Sequence, residues 1–180
     1  MNLSELRRRY DAGERPPLFF FYGHTPPADG RVGPHVFSQW WGAPFVVDGT
    51  FYSTAEHWMM AEKARLFGDD EALAAILASP TPSEAKRLGR TVRAFDDAVW
   101  KPQRQAIVRR GSVEKFGQDP ALRAYLLATG DAVLVEASPS DTIWGIGLGA
   151  SSPRAQDPNQ WRGLNLLGFA LMAARGVLGG

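Results

Sequence analysis

A carboxylate and an amine stand seven residues apart in segment 54–64, where Glu56 precedes Lys63. If this segment is a helix with 3.6 residues per turn, the spacing brings both side chains to nearly the same face, two turns apart. A cleft on that face would hold an acid beside a nucleophile or a cation. The alternative is structural, because Ser53 followed three residues later by Glu56 has the pattern of a capping box, in which the glutamate only fastens the helix start.

Two further segments carry polar groups that suit a ligand. In the first, Glu136 ends a short apolar run, and Asp141 follows in a turn that ends on Trp144. An acid beside an indole suits a nucleoside, because the ring stacks on the base while the acid meets hydroxyls or developing positive charge. Asp141 closing an Asx-turn is an equal alternative. In the second, Asn165 stands at the predicted start of an apolar helix, where it would cap the helix or face an anion.

The composition predicts one cytoplasmic domain whose partner is a small molecule. The chain has 180 residues, 44% of them hydrophobic, which is enough to bury a core. Its formal charge of +1 creates no field that attracts nucleic acid or a membrane. No segment approaches the roughly 20 apolar residues that span a bilayer, so we expect no membrane partner.

The residue types do not indicate a site for a metal or a cofactor. The chain has no cysteine, and His24, His35 and His57 lack the spacing of zinc ligands. We therefore expect no metal and no cofactor. The lysines are few, standing only at positions 63, 86, 101 and 115 among twenty basic residues. Lysine, unlike arginine, can lose its proton when buried, so each lysine is a weak indication of a specific role.

Helical patterns dominate the elements that must position these residues. Strands are predicted at 18–22 and 133–137, and a hairpin at 45–52 turns on Asp48-Gly49. Helices are predicted at 3–10, 54–67, 70–78, 82–89, 97–116, 120–129 and 164–177. The fold class is therefore α+β, a single helix-rich domain with a small antiparallel sheet. We place the domain at 17–178, after an N-terminal extension at 1–16.

Taken together and in order, the motifs resemble the NADAR or YbiA-like family. The resemblance runs from Phe20 to Arg175, nearly the whole chain. Each motif is modest alone, but the ordered set is specific. The motifs are Phe-Phe-Tyr-Gly-His at 20–24, Ser-Gln-Trp-Trp at 38–41, the segment 54–64, Ala-Lys-Arg-Leu-Gly-Arg at 85–90, Lys-Phe at 115–116, Leu-Val-Glu-Ala-Ser at 134–138, Asp-Thr-Ile-Trp-Gly-Ile-Gly at 141–147 and Trp-Arg-Gly-Leu-Asn-Leu-Leu-Gly at 161–168.

The resemblance implies the YbiA-like fold and the cleavage of an N-glycosidic bond. Family members are similar to enzymes that hydrolyse ribosylamino-pyrimidine phosphates, reactive intermediates of riboflavin synthesis. Others remove ADP-ribose from guanine in nucleic acid. The name of the family refers to NAD and ADP-ribose, which the resemblance therefore implies as ligands. The short, near-neutral chain favours the first activity, with a phosphorylated N-riboside as the partner. An ADP-ribosyl-guanine glycohydrolase and a noncatalytic ADP-ribose or NAD-binding module are the alternatives.

Cleavage of a ribosyl C–N bond requires negative charge near the anomeric carbon, a proton for the leaving nitrogen and a held water or nucleophile. We expect Glu56 to be the base or electrostatic partner and Asp141 to contact the ribose or the water. Lys63 would bind phosphate or attack the anomeric carbon to give a Schiff base. The remaining residues expected to bind substrate are Tyr22, Gly23, His24, Lys86, Arg90, Trp100, Glu136, Trp144, Arg162 and Asn165. All of this requires positions 56, 63 and 141 to converge on one hollow.

Overall fold

The computed structural model describes residues 1–180 and contains seven helices and four strands. The helices are α1 Leu3–Asp11, α2 Ala55–Leu66, α3 Asp70–Ala78, α4 Pro82–Gly89, α5 Asp97–Gln118, α6 Pro120–Ala128 and α7 Leu166–Gly179. The strands are β1 Leu18–Phe21, β2 Phe45–Val47, β3 Thr50–Tyr52 and β4 Val133–Glu136. Short 3₁₀ turns cover Pro34–Phe37, Pro153–Gln156 and Pro158–Gln160. The predicted α+β class is confirmed, and no helix combines the length and apolarity needed to cross a membrane.

Side-chain caps set where the helices begin. Asp69, Thr81, Asp96 and Asp119 each accept a backbone N–H from the first turn of the helix that follows. These bonds satisfy amide groups that have no partner within the helix. Proline follows the cap in α4 and in α6, at a position where its missing N–H costs nothing. The local sequence therefore accounts for the start of most helices.

The capping-box interpretation of Ser53 and Glu56 is wrong. Thr54 is the N-cap of α2, and its hydroxyl accepts the N–H of His57 at 3.3 Å. Glu56 is consequently the second residue of the helix, and its own backbone N–H donates to the carbonyl of Gln39 at 2.9 Å. The glutamate side chain takes no part in capping and is free for another role.

Two separate strand pairs replace a single sheet. β2 and β3 form the predicted antiparallel hairpin, with positive φ angles of 49° at Asp48 and 78° at Gly49. β1 and β4 pair in parallel, from Leu18 with Val133 to Phe21 with Glu136. This parallel pair was not predicted, because no local pattern reports a pairing across more than a hundred residues. Parallel strands end at the same edge, so the residues after β1 lie beside the end of β4.

Strand β4 separates two hydrophobic cores. Leu134 belongs to the larger core, which also includes buried residues of α2, α5 and α7. Val133 and Val135 point the other way, as alternate residues of a strand do, and join a smaller core with Leu6 of α1. Helix α1, within the predicted N-terminal extension, therefore packs against the domain.

Candidate active site

A cavity of about 670 Å³ opens at the carboxyl ends of β1 and β4. The start of α2 forms one wall and α4 forms another, and the turn after β4 closes a third side. Glu56, Lys63 and Asp141 all line this cavity. The predicted convergence of these three positions is therefore what the structure shows, although their chemical roles stay predictions.

Seven further residues expected to bind substrate also line the cavity, and three do not. Those that line it are Tyr22, Gly23, His24, Lys86, Arg90, Glu136 and Trp144. Trp100 is instead buried in the larger core, with its ring centroid 5.9 Å from Lys63 Nζ. Arg162 is exposed elsewhere on the surface, and its backbone N–H donates to Ile146. Asn165 is fully buried beneath the cavity.

Asn165 uses its side chain to bind the backbone of β4. Its Oδ1 accepts the N–H of Glu136 at 2.9 Å, and its Nδ2 donates to the carbonyl of Leu134 at 2.9 Å. Gly168 allows this close approach, since a Cβ there would lie 2.0 Å from the Leu134 oxygen. Asn165 is the N-cap residue of α7, as predicted, but its side chain neither makes a capping hydrogen bond nor is available to an anion, because both ends of its amide are occupied by β4. Its effect on the site is to fix the backbone of Glu136.

Glu56 is a buried carboxyl whose Oε1 has no hydrogen-bond partner. The residue is 3% exposed, and burial raises its pKa to about 7. Asp141 acts in the same direction, whereas Lys86, the Trp40 side chain and Arg90 lower the pKa. Glu56 therefore titrates near neutral pH at the wall of the cavity.

Glu136 is a second carboxyl of the same kind. Part of the residue reaches the cavity surface, but its Oε2 is buried without a hydrogen-bond partner. Burial raises its pKa to about 8, and the charges of Asp141 and Glu56 add to the effect. Burial thus raises the pKa of both glutamates to neutral pH or above, so the pair retains a proton where an isolated glutamate would be ionised.

Asp141 closes the Asx-turn that was one of its two predicted roles, and its contact with a ligand stays a prediction. Its Oδ1 accepts the N–H groups of Ile143 and Trp144, each at 2.8 Å, which is an Asx-turn. The same residue lines the cavity. The turn holds this carboxyl in place and also presents Trp144 to the cavity.

Lys63 lies in a largely apolar part of the wall and is not bonded to Glu56. Its Nζ donates to the carbonyl of Gly89 at 2.7 Å and stands 4.0 Å from the ring centroid of Phe95. Burial lowers the pKa of this amine, and the charge of Arg90 adds to the effect. A lowered pKa increases the neutral fraction of the amine, which is the nucleophilic form.

The segment Ser38-Gln39-Trp40 also lines the cavity but was not among the predicted site residues. It follows the 3₁₀ turn Pro34–Phe37, and Lys86 Nζ lies 5.6 Å from the ring centroid of Trp40. The available signal was the polar and aromatic run at 38–41, which formed part of the family resemblance. The local sequence does not show a role for this segment, because the position of the segment depends on contacts with α2, α4 and α5.

Comparison with known proteins identifies the family. The family model described as the NADAR domain matches residues 20–179. The chain belongs to the NADAR family. This NADAR protein is 42% identical over 161 residues to N-glycosidase R617 of Acanthamoeba polyphaga mimivirus, covering 87% of this chain and 93% of that protein. It is 33% identical over 139 residues to N-glycosidase YbiA of Escherichia coli strain K12, covering 77% and 78% of the two chains.

A solved structure supports the same assignment. The NMR structure of E. coli YbiA matches the NADAR protein with a TM-score of 0.69 and 29% sequence identity, over 92% of this chain and 87% of that one. The family resemblance predicted from the motifs is thereby confirmed. With its relatives, the NADAR protein is an enzyme of the N-glycosidase class, a hydrolase that acts on N-glycosyl compounds.

The cavity of the NADAR protein combines the groups that this class of reaction requires. Three carboxyls approach it from the start of α2, the end of β4 and the turn that follows. Three cations approach it from α2 and from the end of α4, namely Lys63, Lys86 and Arg90. Tyr22, Trp40 and Trp144 add aromatic surface on which a base can stack. The arrangement suits a ligand with an anionic end, a sugar and a flat base.

Proposed function

We propose that this NADAR protein hydrolyses the C–N glycosidic bond of ribosylamino-pyrimidine phosphates, the early intermediates of riboflavin synthesis, and so limits the damage that they cause. The observation that carries the proposal is the pair of buried carboxyls, Glu56 and Glu136, which each leave an oxygen unpaired in a cavity that also holds Lys86 and Arg90. Such a pair supplies negative charge and a proton at one place. The cations supply a site for the phosphate.

In this proposal the two glutamates have complementary roles. Burial raises the pKa of Glu136 to about 8, which suits this carboxyl to protonate the leaving nitrogen. Glu56, with a pKa of about 7, is ionised in part of the molecules and stabilises positive charge at the anomeric carbon or takes a proton from water. Asp141, which is fixed by its Asx-turn, contacts the ribose hydroxyls.

Lys63 offers a covalent route to the same products. Its neutral amine attacks the anomeric carbon, the C–N bond to the base breaks, and Glu136 gives its proton to the departing nitrogen. The ribosyl-lysine then opens to a Schiff base, and water hydrolyses the imine to release ribose 5-phosphate and the free amine. Borohydride added during turnover should reduce the imine to a stable adduct on Lys63, detected by mass spectrometry. Turnover without an adduct would assign Lys63 to phosphate binding instead.

The decisive experiment measures turnover. The protein is incubated with the ribosylamino-pyrimidine monophosphate, and release of ribose 5-phosphate is followed against the spontaneous rate and against Glu136→Gln. We expect release well above the spontaneous rate from the wild type alone. Tight binding without release would favour a noncatalytic binding module, and neither binding nor release would reject the proposed substrate.

A second candidate substrate, ADP-ribosylated guanine in nucleic acid, is favoured by one observation. The cavity continues past Trp40, Lys86 and Arg90 into an outer groove of about 350 Å³ lined also by Ser83, Glu84 and Arg87. This groove gives room and positive charge for a second phosphate. Release of ADP-ribose from such a nucleic acid, at a higher kcat/KM than for the pyrimidine riboside, would make it the preferred substrate.

A further inference from the structure

Lys115 is a buried amine that has no part in the mechanism described above. It lies in α5 and is 2% exposed, and no carboxylate lies within ion-pair distance of it. Its Nζ instead donates to the carbonyls of Val36 at 2.6 Å and of Ser38 at 2.9 Å. Burial lowers the pKa of this amine to about 7, and a buried polar group without a counter-charge requires an explanation.

The two carbonyls belong to the part of the chain that enters the cavity wall. Val36 lies in the 3₁₀ turn Pro34–Phe37, and Ser38 follows it directly. The hydroxyl of Ser38 then accepts the N–H of Trp40 at 3.1 Å. Ser38, Gln39 and Trp40 all line the cavity, so the amine of Lys115 holds this wall from behind.

The same segment is bonded to the start of α2. The carbonyl of Gln39 accepts the N–H of Glu56 at 2.9 Å. The Trp40 side chain lowers the pKa of the Glu56 carboxyl through a hydrogen bond. Because Oε1 of Glu56 has no hydrogen bond of its own, the position of this carboxyl depends on its backbone and on the wall beside it. A continuous set of contacts thus runs from Lys115 through Ser38 and Gln39 to Glu56.

We propose that Lys115 is a positioning residue, whose amine fixes the carbonyls of Val36 and Ser38 and thereby places Gln39 and Trp40 against Glu56. A lysine suits this task because its amine, protonated or neutral, has at least two N–H donors and can serve two carbonyls at once. The inference rests on the proposed function only where it concerns turnover. The contacts themselves are measurable without a substrate.

Amide hydrogen exchange tests the contacts directly. Lys115→Met keeps the length of the side chain but removes its donors, and Phe116→Leu is the matched control. Phe116 packs on Phe37 of the same 3₁₀ turn, with ring centroids 5.9 Å apart, so its replacement loosens packing there and keeps the amine. We expect the Glu56 amide to exchange roughly tenfold faster in Lys115→Met and to stay within about twofold of the wild type in Phe116→Leu.

Kinetics test the consequence for turnover. A displaced Glu56 affects the reacting atoms more than substrate binding, so Lys115→Met should lower kcat by about tenfold to a hundredfold with KM within about twofold of the wild type. Phe116→Leu should lower Tm without this loss of kcat. A role of Lys115 in stability alone would lower Tm in both variants and leave kcat per folded molecule unchanged.

Each outcome decides the inference. A folded Lys115→Met variant with unchanged exchange at Glu56 would overturn it. If this variant does not fold, Lys115→Gln replaces it, because glutamine is uncharged and too short to reproduce both bonds, and the same increase in exchange is expected. If neither variant folds, Lys115 is a stability residue and the inference is wrong. If exchange responds as expected but no N-riboside is cleaved, the proposed function fails and the positioning contact stands.

Discussion

The acidic and basic sides of the cavity differ in how firmly they are held. Glu56 is 3% exposed, Oε2 of Glu136 is buried, and Asp141 accepts two backbone N–H groups. On the other side, Lys86 Nζ lies 5.6 Å from the ring centroid of Trp40 and Arg90 is exposed, and neither side chain makes a hydrogen bond or an ion pair within the chain. The carboxyls are therefore confined by burial or by the Asx-turn, whereas these two cations remain adjustable.

The difference corresponds to what each side has to do. Proton transfer and stabilisation of a developing charge depend on atomic placement, and a displacement of about 1 Å is costly. Attraction of a phosphate acts over a longer distance and tolerates movement of the side chain. We therefore expect changes on the acidic side to act mainly on kcat and changes on the basic side to act mainly on KM.

The largest effect is expected from Glu56→Gln, which keeps the shape of the side chain and removes its charge. We expect kcat to fall by about 10²- to 10⁴-fold, because a group that transfers protons or stabilises charge contributes on this scale. Tm should stay the same or rise, since an amide has no buried charge to desolvate. Release of ribose 5-phosphate and thermal unfolding are the measurements.

Glu62→Gln is the matched control for this change. Glu62 lies in the same helix but pairs with Arg65 at 2.6 Å outside the cavity, so its replacement should leave kcat nearly unchanged. A loss of less than tenfold in Glu56→Gln would return Glu56 to a structural role and remove one member of the acidic side.

A smaller effect on kcat is expected from Asn165→Asp. The carboxylate cannot donate to the carbonyl of Leu134, so β4 loses a bond and Glu136 moves. We expect kcat to fall by about tenfold to a hundredfold and stability to drop by about 1 to 3 kcal/mol, measured by turnover and by denaturant unfolding. Asn159→Asp, which changes an exposed asparagine bonded to Asp11, should alter neither quantity by as much. Wild-type kcat in a folded Asn165→Asp protein would show that the acidic side needs no such support.

On the basic side, Arg90→Met should raise KM for a phosphorylated riboside roughly tenfold and change kcat little. The wild-type KM should also rise with salt, because an exposed cation is screened. Arg87→Met serves as the control, since the Arg87 guanidinium is already paired with Glu84 and lies outside the main cavity. A loss confined to kcat would contradict the division between the two sides.

The smallest effect concerns stability and pH. The ordinary pKa of Glu136 is 4.5, and folding raises it to about 8. As pH rises from 4.5 to 8, the unfolded state releases this proton first, so the free energy of unfolding of the wild type falls relative to that of Glu136→Gln. We expect the difference to change by on the order of 1 to 2 kcal/mol, since water in the open cavity limits the penalty. Denaturant unfolding of both proteins at pH 5 to 8 measures this difference. If the free energy of unfolding of the wild type instead rises with pH relative to that of Glu136→Gln, Glu136 is ionised in the folded protein.

Local sequence patterns predicted the features that depend on neighbouring residues. The Asp48-Gly49 hairpin, the start of α4 after Thr81 and the helix that carries Glu56 and Lys63 all follow from residue types a few positions apart. The convergence of Glu56, Lys63 and Asp141 required the resemblance to a family, because residues 63 and 141 share no local pattern.

Features that depend on distant contacts were missed or misassigned. The pairing of β1 with β4 and the contact of Lys115 with Val36 have no counterpart in a short window of sequence. Asn165 was expected at a helix start facing a ligand, and the position was right, but its amide is occupied by a strand about thirty residues earlier. Trp100 shows the same difficulty, since a tryptophan near a site and one in a core have the same sequence signature.

The parallel pairing of Leu18 with Val133 also has a consequence during synthesis. The cavity opens at the carboxyl ends of β1 and β4, and this edge forms only after β4 has left the ribosome, because β1 has no partner strand before that point. Until then the backbone groups of the first strand lack their partner strand, and a nascent polypeptide that stops short of residue 133 exposes this unpaired edge to chaperones and proteases. Truncated translation products of this protein should therefore be inactive and short-lived.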